Sequence, residues 1–184
     1  MDNDANVPES QRGNGDANDF RHLTRINPLN YPKERVVWLW EKLHEHPWSF
    51  NDNTRERGDI FATSLFMPNS EHYELLDEKG YVAVTNIEYK VNAVIHWQAW
   101  GQIEVRKVLA AAHELIPHLF ETYALNRITA VVPIYNKQAV RFNTLLGFKY
   151  EGTLRQAVLM NGKYSDVSLY GLLRRDFYRR EVSN

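Results

Sequence analysis

Of the side chains able to move a proton near neutrality, His96 is the best placed. It stands in the alternating run Val91–Trp100, on the same side as Gln98, and an imidazole there can deprotonate an amine close to neutral pH. A hydrogen-bonded structural histidine is the competing reading of that position. Glu88 and Glu151 are the next bases in line, each able to draw an ammonium, and both also fit solvated strand positions. Tyr135 and Tyr164 are the nearest hydroxyls able to serve as an acid. His44-Glu45-His46, and His113 with His118, have neither the one-turn spacing of a helical metal pair nor a third ligand, so no metal site is expected. The chain has no cysteine, which excludes thiolate ligands, disulfides and cysteine nucleophiles.

The elements that must hold these groups are clearest from Asn126 to Arg174. Ile128, Ala130 and Val132 alternate with Thr129 and Val131 in a β-branched run closed by Pro133, which predicts a mostly buried strand. Asn136 stands where a helix N-cap is wanted. Ala139, Val140, Phe142, Leu145 and Leu146 then fall three and four apart until Gly147 stops them, predicting one amphipathic helix. Two extended runs follow, joined at Asn161-Gly162, the dipeptide of a tight hairpin.

Upstream, a first strand is expected from Phe20 to Ile26. Helices are expected from Pro32 to about Glu45 and from Asn53 to Phe66. His72–Leu76, Tyr81–Ile87 and Val91–Trp100 read as three strands, the first two joined by a four-residue link ending in Gly80. A long helix then carries Val105, Val108, Leu109, Ala112, Leu115, Ile116, Leu119 and Phe120 at helical spacing, with Pro117 inside it expected to kink or restart it.

Residues 1–19 are rich in Asn and Asp, with Gly and Ser among them, and read as a flexible polar arm, able to bind a partner, ahead of a single domain at 20–184. The 184 residues, 43% of them apolar, suffice for one core. A formal net charge of −1 gives no basic field for nucleic acid. No run is long enough to span a bilayer and no secretory signal opens the chain, so a cytoplasmic place is expected. The five Trp and ten Tyr read as core and interface aromatics, with Trp48, Trp97 and Trp100 able to form a sticky patch for protein partners. Arg174, Arg175, Arg179 and Arg180 read as a solvated end.

Asn136, Ala139, Gly147-Phe148, Glu151-Gly152, Leu154-Arg155, Gly162-Lys163-Tyr164, Asp166 and Leu169–Arg174 form an ordered series that resembles the GNAT (Gcn5-related N-acetyltransferase) superfamily, most closely its ribosomal-protein N-acetyltransferase-like branch. The resemblance covers the last third to two fifths of the chain, and the order of elements fits most of the rest. It implies an α/β (α+β) fold with one mixed, mostly antiparallel sheet of about seven strands and helices on both faces. It further implies acetyl-CoA in a splay between the fourth and fifth strands, with the pyrophosphate on backbone amides at the start of the long helix. That loop would be Gly101–Arg106, where Glu104 and Arg106 replace the family's late glycines. Trp100, Gly101 and Gln102 would then form the loop and Arg106 would supply charge from the first turn; solvated first-turn residues are the competing reading.

In the family the leaving thiolate is often protonated by a Tyr or Ser on the short helix, positions held here by Asn143 and Ala139, neither of which can give a proton. Asn136 would contact the cofactor arm, and Asp166 and Tyr170 would buttress the substrate side. The implied function is acetyl transfer to an amine of a protein or small molecule; the residues themselves offer His96 or a water as base, and Tyr135, Tyr164 or a water as acid. The alternative is an inactive module of the same fold. The strand ending in Trp100-Gly101 before the long helix resembles acetyltransferase-like proteins of tailed phages, which on that alternative implies a virion-associated component.

Overall fold

The alternation of Ile128, Ala130 and Val132 puts three buried side chains on one face of strand β5 (Arg127–Pro133), and the sheet grows outward from that strand. The computed structural model describes residues 20–46, 49–75 and 77–181. The expected polar arm at 1–19, Trp48 and Leu76 lie outside the described residues.

In chain order the elements are β1 (Leu23–Arg25), α1 (Lys33–His44), α2 (Gly58–Ser64), β2 (Glu71–Leu75), β3 (Gly80–Glu88), β4 (Asn92–Ala99), α3 (Val105–Thr122), β5, α4 (Lys137–Leu146), β6 (Lys149–Met160), β7 (Lys163–Leu173) and α5 (Arg174–Glu181). The sheet has seven strands in the order β1-β2-β3-β4-β5-β7-β6. Every neighbouring pair is antiparallel except β4 with β5. This is the mixed, mostly antiparallel α/β sheet expected from the sequence.

Two cores lie on its two faces. Tyr73, Val82, Val84 and Ile95 pack with α3, α4 and α5 on one side; Tyr81, Ala83 and Trp100 pack with α1 and α2 on the other. α3 runs through Pro117 without a restart. Leu115, Ile116, Leu119 and Phe120 around the proline are wholly buried, and that burial, at about 1.5–3 kcal/mol per large side chain, offsets the roughly 3 kcal/mol an interior proline costs. No helix among the described residues is long and apolar enough to cross a membrane.

Three local expectations need correction. α2 begins at Gly58 rather than near Asn53, because the Asn51 carboxamide accepts from the amides of Asn53 and Thr54 and holds a turn there. The C-terminal arginines are solvated at Arg175, Arg179 and Arg180, as expected, but they do not form a loose end. They belong to α5, whose Phe177 is 3% exposed in the main core, while Arg174 and Arg180 donate to the carbonyls of Phe120 and Leu145. Trp97 and Trp100 form no surface patch: Trp100 is buried and Trp97 packs edge-on against Phe142.

Candidate active site

The parallel pairing of β4 with β5 covers Asn92, Ala93 and Val94 against Arg127, Ile128 and Thr129, and stops there. Thr129 Oγ1 donates to Asn92 Oδ1 (2.9 Å), pinning the closed end. Beyond it Ile95–Ala99 and Ala130–Pro133 part, and a cavity of about 820 Å³ opens between the strands, lined from both faces of the sheet. The splay expected between the fourth and fifth strands is therefore present, as a passage through the sheet.

The cross-strand pairs Ala83 with His96 and Tyr81 with Gln98 set the face of the central groups, toward α1 and α2. His96 opens onto the cavity with Thr85 Oγ1 3.5 Å from its Nε2. His96 is open to solvent in the cavity, and partial desolvation by the surrounding walls lowers its pKa below the ordinary 6.5. Two strands away, on β2 and across Ala83 of β3, His72, 3% exposed, is pushed down to about 4, first by burial and in smaller part by His96. Its Nε2 faces the Ser64 carbonyl at 3.1 Å, so that nitrogen carries the proton and Nδ1 accepts from the Tyr81 hydroxyl. Two neutral imidazoles and a phenol thus share one wall.

The start of α3 faces the same cavity through Ile103, Val105 and Val108. Its N-cap residue, Glu104, makes no side-chain cap bond, so the positive end of an eighteen-residue helix has no side-chain cap there. Gly101 lines the cavity at φ +66°, a conformation that suits glycine. The other residues of the expected cofactor loop lie elsewhere. Trp100 sits in the α1/α2 core, its Nε1 donating to the Glu78 carbonyl (2.9 Å) and its ring stacked on His46. Gln102 is exposed, with its carbonyl accepting from Lys79 Nζ at 3.1 Å. Arg106 is an exposed first-turn residue outside the cavity lining.

α4 forms the opposite wall. Asn136 caps it as expected, its Oδ1 accepting from the Ala139 amide (3.1 Å), and Gly147 ends it at φ +91°. Asn136, Ala139, Arg141, Phe142 and Asn143 all line the cavity, and Asn143 is only 4% exposed. Arg141 is the one permanently charged side chain among the described lining residues. Across from α4 the buried Trp97 Nε1 has no hydrogen-bond partner. Tyr164 lies on β7, 70% exposed and outside the lining. Asp166 accepts from the Gln156 amide (2.8 Å) at a bulge in β6, and Tyr170 is buried against Tyr150. Glu151 pairs with Arg127 (2.6 Å).

The structure therefore brings His96, Gly101 and Asn136 to one cavity and leaves Trp100, Gln102, Arg106 and Tyr164 outside its lining. Sequence reasoning did not single out His72, Tyr81, Phe61, Trp97 or Arg141 for the site. A signal existed for one of them: His72 is two residues from Glu74 in a strand buried throughout, and a polar residue kept inside a buried strand has a reason to be there.

One contact closes the α1/α2 side. The loop after α1 presents Asp52, whose carboxylate accepts from the amides of Asn161 (2.8 Å) and Gly162 (2.6 Å) at the β6–β7 turn, while its own amide donates to the Leu159 carbonyl (2.9 Å). Ser49 and Phe50 of that loop line the cavity.

A mixed seven-stranded sheet, parallel only at β4–β5 and splayed there, with helices on both faces, is the GNAT acetyltransferase fold. No family model matches the chain. The provisionally named ribosomal N-acetyltransferase YdaF of Bacillus subtilis (strain 168) is 31% identical over 70 residues, and the match spans 38% of this chain and 38% of that protein. A crystal structure provisionally assigned to an acetyltransferase superposes with a TM-score of 0.64 at 23% identity, covering 85% of this chain and 95% of the other. A mutant form of the spermidine N-acetyltransferase SpeG from Vibrio cholerae gives 0.68 at 16% identity, covering 86% and 96%. A dodecameric form of the same Vibrio enzyme gives 0.64 at 17% identity, covering 86% and 96%. The resemblance to the GNAT superfamily holds in sequence over that segment and in fold over most of the chain.

Proposed function

We propose that the chain is an acetyl-CoA-dependent N-acetyltransferase acting on an amine in the cytoplasm. One observation carries the reading: the cavity passes through the sheet at the β4–β5 splay and joins a wall formed by α3 and α4 to a pocket under α1 and α2 that holds His96. Acetyl-CoA, when bound, supplies the acetyl group as a thioester.

The residues present fit that group. The splay leaves two strand edges without mutual pairing, the first-turn amides of α3 lack a side-chain cap, and Arg141 offers a cation on the facing wall. Glu104, the exposed N-cap of that helix, stands against the fit but lies outside the cavity lining. His96, neutral at pH 7 because its pKa is depressed, takes the proton from the incoming ammonium, and Thr85 helps orient its ring. Trp97 Nε1–H and the Asn143 carboxamide offer hydrogen bonds inside the cleft. Asn143 can donate such a bond to a leaving sulfur without giving up a proton. Holding both reactants at one opening accounts for most of the expected rate.

The experiment is calorimetry of acetyl-CoA with the unaltered protein and with Arg141→Gln and Asn136→Ala. Micromolar binding weakened by either change is expected; no binding at millimolar acetyl-CoA sinks the reading. A second reading is favoured by Glu104 and Arg106 in place of glycines and by Asn143 in place of a hydroxyl: a fold retained as a binding module. On that reading the exposed rings of Tyr89, Tyr150 and Tyr164, together with the polar arm, contact other chains, and the likeness to tailed-phage proteins belongs here. Failure to bind acetyl-CoA is the result that favours it.

A further inference from the structure

The acceptor half of the cavity, under α1 and α2, has a definite chemistry. Phe50, Phe61 and Tyr81 form a run of rings whose successive centroids are 6.2 and 6.0 Å apart, backed by Trp40 at 4.6 Å from Phe50. Phe61 and Tyr81 are 6% and 5% exposed, so the wall is fixed by the core and does not need a ligand to form. Set into it are neutral polar groups. The Ser49 hydroxyl is enclosed at the wall with no hydrogen-bond partner. The Tyr81 oxygen, having given its proton to the bond with His72, keeps lone pairs to accept an N–H.

What the wall lacks is equally specific. Among the described lining residues there is no Asp or Glu. The nearby carboxylates are committed elsewhere: Glu74 is held by the Tyr31 hydroxyl and the Arg35 guanidinium, Glu78 by Arg35 (2.8 Å), and Asp52 by the amides of the β6–β7 turn. Glu71 pairs across β2–β3 with Val84 and shares its hydrogen bonds with Tyr73 and Tyr123, on the opposite face of the sheet. A ligand carrying several ammonium groups would leave most of them desolvated without a counter-charge, which costs more than an aromatic wall returns. A single amine, bound as the free base or losing its proton to His96, meets no such cost.

We infer that this pocket takes a primary amine joined by a short alkyl linker to an aromatic ring, an arylalkylamine with no second positive charge, and that it discriminates against polyamines. The inference rests on the transferase reading for what happens to the amine, and on the pocket alone for which amine enters. The ring lies against Phe50, Phe61 and Tyr81, and the nitrogen reaches Ser49 and the Tyr81 oxygen on the side of His96.

The test is calorimetric titration of the protein with phenethylamine and with spermidine, repeated on Gln98→Glu, which puts a carboxylate on the His96 face with almost no change of shape. Phenethylamine is expected to bind about tenfold or more tighter than spermidine, and Gln98→Glu to narrow or reverse that ratio by about tenfold. Spermidine binding as tightly as phenethylamine to the unaltered protein, or neither amine binding, overturns the inference. A parallel acetyl-CoA titration separates the two proposals: acetyl transfer preferring spermidine refutes the pocket assignment and leaves the transferase standing. Phenethylamine binding without acetyl-CoA binding keeps the assignment and removes the transferase.

Discussion

Replacing Glu71 with Gln tests the buried network at the β1–β2 edge. Glu71 is 3% exposed, and its carboxylate accepts from the hydroxyls of Tyr73 (2.5 Å) and Tyr123 (2.7 Å), pairs with Arg25 and lies 3.8 Å from His118 Nε2. Burial alone would raise its pKa; the nearby His118 imidazole, the hydrogen bonds from Tyr73 and Tyr123 and the charge of Arg25 overcome it and hold the group at about 2, against the usual 4.5. The folded pKa is the lower of the two, so the ionised network stabilises the fold above the unfolded value of 4.5, and that stability drains away as the pH falls toward 2. The difference amounts to about 3 kcal/mol at pH 7 and about 1 kcal/mol at pH 3. Urea unfolding followed by tryptophan fluorescence, run on both proteins at the two pH values, reads it directly. Glu71→Gln should be less stable by about 3 kcal/mol at neutral pH, with the gap shrinking to roughly a third at pH 3. A gap of the same size at both values would refute the reasoning, since the network would then be holding the side chain's shape and not its charge.

Two further outcomes follow from the site. His96→Gln should lower the transfer rate about a hundredfold. It should also abolish the acidic limb of the kcat/KM profile, which in the unaltered protein lies below pH 6.5 because His96 accepts a proton only when neutral and its pKa is depressed; a variant that keeps the same limb would assign the base elsewhere. Asp52→Ala should speed amide hydrogen exchange at Asn161 and Gly162 about tenfold or more, and unchanged exchange would show that the turn holds without that carboxylate.

The sequence disclosed what local rules govern. Asn136 and Gly147 bracket α4 because a cap and a left-handed terminus are properties of single residues, and Asn161-Gly162 makes its turn with φ of +52° and +71° for the same reason. The order of strands and the splay were legible only through the family likeness, since nothing local tells β4 to leave β5 after Val94. α5 went unread because Phe177 and Tyr178 stand side by side and give no helical period; the core, not the period, makes it a helix. Trp100 reads as a loop residue by its neighbours and is buried by α1, an element sixty residues earlier. The network around Glu71 joins residues from Arg25 to Tyr123, and no spacing rule reaches that far.

The contact made by Asp52 has a mechanical meaning. β5, one lip of the opening, is paired to β7, β7 to β6, and the turn between them to the loop after α1, whose Phe50 packs into the core over β3, the strand paired to the other lip, β4. The two lips are thus joined twice, at the hinge by Val94 and Thr129 and across the far side by a hasp of three hydrogen bonds. A wedge with both ends fastened cannot gape by swinging one strand. Swinging either lip outward therefore strains the Asp52 contact at one end as well as the β4–β5 pairing at the other.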